Sequence, residues 1–246
     1  MLIYRRNALM TGKRTPTAKD YVQTGLVAMW DGIENAGWGV HDPNATTWKD
    51  LIGGIETSWL TDVADNSLTW ENGGLRRVGT KGITATVDWC ANITQTTPYT
   101  LEIVIGDASQ TAPLSSLNFY YNSMANTMMF VRANYTGLWN STGGQYASLA
   151  SLGYDFPAVY FAFVATGVAG TNNRQLEDIY RDGTRLFANR LMSTSTDKTF
   201  HFFQYSRVWA ETRDTTIHAV RLYSRALTAD EIARNYNIDK ARFGLP

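Results

Sequence analysis

Hydrophobic and polar positions alternate along much of the chain. From residue 99, Tyr99, Leu101, Ile103 and Ile105 fall on one face of an extended segment and Thr100, Glu102 and Val104 on the other, until Gly106 and Asp107 stop it. Residues 158–165 are apolar at nearly every position, which predicts a central strand covered on both sides. Residues 128–135, 200–205 and 217–223 are further strand-length runs. Between residues 179 and 187, two strand-like flanks surround Asp182 and Gly183. Both residues tolerate the positive φ of a type I′ turn, so a two-residue hairpin is predicted there. Many short strands separated by turns imply an all-β, antiparallel sandwich or barrel.

One helix is signalled, at the C-terminal end. Thr228 and Glu231 stand as the two partners of a capping box, and Leu227 and Ile232 as the two ends of a hydrophobic staple. Ile232, Ala233 and Tyr236 share one face, which predicts a short surface helix of about two to three turns. At the other end, residues 1–21 set Arg5, Arg6, Lys13, Arg14 and Lys19 against Asp20 alone, and Pro16 interrupts any helix. They read as a basic N-terminal arm or linker, either a solvated terminus or a segment that docks on another copy or a larger assembly. Residues 22–246 are then the folded domain.

Composition narrows the partners. The 246 residues carry 22 Lys+Arg against 22 Asp+Glu, a formal net charge of zero. That removes the attraction behind non-specific nucleic-acid binding, so no nucleic acid and no anionic lipid is expected as a bulk partner. Thirty threonines and a charged share of only 18% suit half-buried strands. Cys90 is alone, so neither an internal disulfide nor a thiolate metal site is available. No signal peptide is visible, because Arg5 and Arg6 interrupt the short apolar start. The long uncharged stretches 108–131 and 156–173 are broken by Asn, Ser, Gly or Pro, so no membrane insertion is expected.

Four segments, in order, carry a resemblance. The run IHAVRLYSRALTADEI at 217–232 resembles the closing strand and capped helix of LamG-like, concanavalin A-like jelly-roll domains. GLVAMWDG at 25–32 is similar to their opening strand, WKDLIGG at 48–54 to their W-x-D turn, and YRDGTRL at 180–186 to their Y-x-N-G hairpin. The resemblance spans roughly residues 22–240. It implies an antiparallel jelly-roll β-sandwich with a short C-terminal helix, whose concave face or loop rim binds glycans or proteins in many members. Such modules look like ones carried by bacterial surface proteins and bacteriophage virion proteins, so the implied location is a virion or a surface, otherwise the cytoplasm. His218 and Ala219 stand where members commonly carry Asp or Asp-Glu, which removes the carboxylates behind any polar or metal contact there.

Candidate chemistry is sparse. Glycoside hydrolysis needs paired carboxylates, which one strand would show as acidic residues at i, i+2 or i+4, and no such run exists. Glu177, Asp178 and Asp182 read as solvated hairpin charges, and Glu102 alone makes no acid–base pair even on a concave face. His41, His201 and His218 come with neither a nucleophile elbow nor metal-ligand spacing. The chain is therefore not expected to be an enzyme. No cofactor is expected either. Hard-oxygen candidates for calcium are Asp42, Asn44, Asp50, Asp62, Asp65 and Asn66, with Asp62 and Asp65 in the acid-rich loop, for which a solvated loop is the plainer reading.

Aromatic residues offer more. Exposed Trp and Tyr can stack on the apolar face of a sugar ring while neighbouring amides bond its hydroxyls. Residues 35–42 and 134–142 combine both residue types, so Trp38, Tyr135, Trp139, Asn140 and Trp209 are the ligand-binding candidates. Trp30, Trp48, Trp59, Trp70 and Trp89 read as core. The function expected is recognition of a glycan or surface polymer by stacking and neutral hydrogen bonds. The alternative is a structural or interaction protein, a homo-oligomer or virion component, assembled through residues 1–21.

Overall fold

Asp182 and Gly183 form the predicted hairpin: their φ values are 47° and 75°, and they join Arg181 to its cross-strand partner Thr184. The structure, a computed structural model, describes residues 14–57, 67–78, 83–106, 130–132, 137–139, 145–147, 158–171, 174–193, 199–202 and 215–246. The described strands are β1 (Leu26–Asp31), β2 (Ser67–Glu71), β3 (Gly74–Val78), β4 (Ile83–Thr86), β5 (Tyr99–Gly106), β6 (Phe130–Arg132) and β7 (Gly137–Trp139). They continue with β8 (Gln145–Ala147), β9 (Ala158–Ala169), β10 (Arg174–Arg181), β11 (Thr184–Ser193), β12 (Thr199–Phe202) and β13 (Thr215–Tyr223).

These strands build an all-β, antiparallel sandwich. The largest sheet runs β11-β10-β9-β5-β13-β3-β2, and β1 joins the edge of β13 that β3 also uses. β4 pairs with β12, and β6, β7 and β8 form a third sheet. Asn72 and Gly73, with φ of 51° and 72°, turn β2 into β3. This second hairpin carries the same Asn-Gly signal that predicts such turns.

Alternation along β5 and β9 decides where the core sits. Tyr99, Leu101 and Ile103 of β5, with Phe161 and Phe163 of β9, pack across the sandwich against Ile83 and Ala85 of β4 and Phe200 and Phe202 of β12. Trp30 meets Phe202 edge-on at 5.2 Å, and Trp48 meets Trp70 edge-on at 5.5 Å. Trp30 and Trp48 are fully buried, and Trp70 and Trp89 are partly buried against the same cluster. Trp59 lies outside the described residues. On the opposite face, Val104, Tyr160, Ala162, Val164, Ala219 and Tyr223 are covered with Leu227 and Ile232, at the start of the C-terminal helix. Residues 159–165 of this apolar run are thus buried on both sides, as their composition requires.

That helix, α1 (Ala229–Phe243), is capped as predicted: Thr228 Oγ1 accepts from Glu231 N, and Glu231 Oε2 accepts from Thr228 N at 2.9 Å. It runs 15 residues, longer than the two to three turns expected, before Gly244 closes it in the left-handed conformation. The extra length escapes an apolar count because its inward face continues with Asn235 and Asp239, both fully buried. They meet a buried ionic cluster. Arg221 donates to Glu102 at 2.5 Å and through both Nη atoms to Asp239. Tyr160 donates to Glu102 and Tyr21 to Asp239, each at 2.6 Å. Glu102 therefore serves this cluster beneath α1 and does not line an open concave face.

Glu177 also departs from expectation. The pairing of β10 turns Gln175, Glu177 and Ile179 toward the core, so Glu177 is fully buried rather than solvated and accepts the Tyr99 hydroxyl. Burial raises its pKa to about 8, with the Tyr99 hydrogen bond opposing. Asp178 behaves as a hairpin charge paired with Arg185 at 3.1 Å. Asp182 pins the turn to β9 by accepting from Tyr160 N.

Of the expected arm, residues 14–21 are described, and two of them are anchored in the interior. Ala18 and Tyr21 are buried with Met29, Leu51 and Ile238, below a one-turn 3-10 helix (Ala18–Asp20). Among the described residues, no helix is long and apolar enough to cross a membrane.

Candidate functional site

The end of β1 and the loop behind it present Trp38. Asp31 closes the strand by accepting from the amides of Ile33 and Glu34 through Oδ1. Gly32 is required next, since a Cβ there would stand 2.4 Å from the Gly73 carbonyl oxygen. Asn35 then clasps Asp42 twice: its Oδ1 accepts from Asp42 N and its Nδ2 donates to Asp42 O, both at 2.8 Å. Within this clasp, Gly37 and Val40 form a bridge, and Val40 N donates to Gly37 O at 2.9 Å.

Trp38 sits at the tip between two glycines of positive φ, Gly37 at 144° and Gly39 at 69°. Trp38 is 36% exposed and Val40 50% exposed, two of the five large apolar residues that stand exposed among the described ones. The Lys19 ammonium lies over the indole, 5.6 Å from the ring centroid.

Glu34 braces this loop from below. Its Oε2 accepts from Gly39 N at 2.8 Å, while Oε1 accepts from Ala18 N at 2.9 Å and from Arg242 Nη2 at 3.1 Å. One nearly buried carboxylate thus joins the tip of the loop to the N-terminal segment and to the last turn of α1. Arg242 also pairs with Asp31 at 2.8 Å. Burial lifts Asp31 to about 6, against the pull of Arg242. With its oxygens occupied by N–H donors, Glu34 fixes posture; the exposed groups at the tip are a flat apolar ring, an aliphatic side chain and neutral backbone. Such a surface can stack on a ring of matching size, and holding it rigid beforehand lowers the ordering cost of binding.

Trp38 is the one ligand-binding candidate whose side chain is described. Trp139 ends β7, with its backbone paired to Phe130 and Gln145. The Trp139 side chain, Tyr135, Asn140 and Trp209 lie outside the described residues, as do Asp62, Asp65 and Asn66. Asp50 spends its carboxylate on backbone, accepting from Met29, Ile52 and Gly53 amides, and Asp42 accepts from Asn44 N. Among the described residues, no three His, Cys, Asp or Glu side chains gather as a metal site would require. Glu34 and Arg242 were not singled out from the sequence, and Lys19 only as one of the charges of the N-terminal segment. The positions of Glu34 and Arg242, 208 residues apart, carry no local signal of their contact.

No family model matches the chain, and no curated relative matches it. Solved structures do share its fold. A Trypanosoma rangeli sialidase in complex with sialic acid matches with a TM-score of 0.56 at 15% identity, over 94% of this chain and 35% of that one. The receptor binding domain of a botulinum neurotoxin C/D mosaic serotype matches with a TM-score of 0.54 at 14% identity, over 87% of this chain and 51% of that one. The chain thus spans about a third to a half of these structures, and at such identity the likeness is one of fold.

Proposed function

We propose that the protein is a non-catalytic recognition module that binds a saccharide, with Trp38 as its stacking platform. The observation that carries this is the bracing of an exposed indole between two glycines by Glu34 and the Asn35 clasp. A core-forming tryptophan needs no such loop; Trp30 and Trp48 are simply enclosed. The fold neighbours, a sialidase in complex with sialic acid and a receptor binding domain, are in keeping with a scaffold that presents ligand sites. Membership of the LamG-like group, and a setting on a virion or cell surface, rest on the sequence resemblance of residues 25–32, 48–54, 180–186 and 217–232.

A glycan array probed with the wild-type protein tests this, followed by titration of each saccharide retained. Trp38→Ala is expected to weaken binding roughly tenfold or more, the scale at which a central aromatic anchor acts. Its thermal stability should stay close to wild type because the ring belongs to none of the hydrophobic core clusters. Absence of any saccharide hit, or undiminished binding by Trp38→Ala, would overturn the proposal.

A further inference from the structure

The chain has zero net charge, yet a cation stands directly at Trp38. Lys19 extends over the indole, and among the described residues no carboxylate pairs with it. Next to Lys19 in the chain, Asp20 is fully engaged: Oδ1 takes Arg14 at 2.5 Å, while Oδ2 accepts the Thr17 amide at 2.6 Å and the Thr17 hydroxyl at 3.0 Å. These partners hold the Asp20 carboxyl well below its ordinary range, so it is fully ionised and fully spent. Arg234 of α1 donates to the Asp20 carbonyl oxygen at 2.8 Å. Arg14 and Arg234, with Pro16, Asp20, Asn237 and Ile238, line an open depression of about 540 Å³. Arg14 and Arg234 thus flank Asp20, while Lys19, its neighbour in the chain, reaches the stacking platform.

We infer that the site selects an anionic saccharide, one bearing a carboxylate or sulfate. This deepens the proposed function and rests on it: a ring stacks on Trp38, its acidic substituent pairs with the Lys19 ammonium, and further residues of an acidic polymer extend toward Arg14 and Arg234. A neutral sugar must displace the ammonium from the indole face and gains no ionic contact in return. An acidic sugar draws the same ammonium outward into a charge-assisted hydrogen bond. This revises the expectation of purely neutral hydrogen bonding.

The probes are matched pairs: a glucuronate-containing oligosaccharide with its carboxyl-reduced form, and a sulfated oligosaccharide with its desulfated form. The wild-type protein is expected to bind an acidic member roughly tenfold more tightly than its neutral partner, and to lose that margin as salt rises from about 0.05 to 0.5 M. Which pair shows the margin identifies carboxylate or sulfate as the ligand group. Lys19→Met should abolish the preference, Lys19→Arg should keep it, and Trp38→Ala should weaken both members. Equal binding of acidic and neutral members, or a preference that survives Lys19→Met, would overturn this inference and leave the stacking platform standing. Failure of every saccharide to bind would overturn both.

Discussion

Arg221→Met is expected to destabilise the protein by about 3–5 kcal/mol, because it strands two carboxylates in the interior. Glu102, Arg221 and Asp239 are all fully buried, and the guanidinium is the cation that both acids share. Asn235 and Tyr160 would still donate to Glu102, and Tyr21 to Asp239, but neutral donors cannot replace the lost charge. The effect belongs to uncompensated charge rather than to lost packing, and a second variant separates these. Combining Arg221→Met with Glu102→Gln and Asp239→Asn removes all three charges and should recover much of the loss. Urea denaturation of the two variants is the measurement. A cost below about 1 kcal/mol for the single change, or no recovery in the triple, would contradict the role given to this cluster in docking α1.

Glu177 yields the second large effect, as a dependence on pH. Its pKa is about 8 in the folded protein and near 4.5 when exposed. The folded state therefore keeps a proton that the unfolded state releases. Stability from this group is complete below about pH 4.5 and is lost progressively up to about pH 8, by on the order of 5 kcal/mol in total. Asp31, raised to about 6, acts in the same direction, but its share ends near that pH. Between about pH 6.5 and 8.5 the decline is then due to Glu177 alone of these two. Glu177→Gln keeps an acceptor for the Tyr99 hydroxyl and cannot ionise, so its stability should be flat across that interval. A wild-type curve that is equally flat, or a Glu177→Gln curve that falls as steeply, would show that the carboxyl is not buried as described.

Much of the fold was legible in the sequence, and the exceptions share a cause. Asp182 and Gly183 marked their hairpin because the turn itself demands positive φ, and the Asn72 and Gly73 signal was equally present. Thr228, Glu231, Leu227 and Ile232 marked the helix start because caps and staples are local. The helix end carries no local signal because its buried face is polar: Asn235 and Asp239 are inward only in the company of Arg221 on β13 and of Glu102, 133 residues from Asn235. Glu177 could have been placed, since Ile179 two residues on shares its face. At the site, Trp38 was visible as an aromatic residue in a loop that also carries hydrogen-bonding side chains. What holds it was not, because Glu34 works through Ala18, Gly39 and Arg242, contacts that only the tertiary fold creates.

The most direct test of the Trp38 platform reads that ring itself. The indole N–H signals of the protein can be resolved by nuclear magnetic resonance, and the signal missing from Trp38→Phe identifies Trp38. On titration with a saccharide retained by the array, this signal is expected to shift in step with occupancy, while those of the buried Trp30 and Trp48 stay in place. A saccharide that binds and leaves the Trp38 signal unmoved would contradict the assignment of the site to this loop.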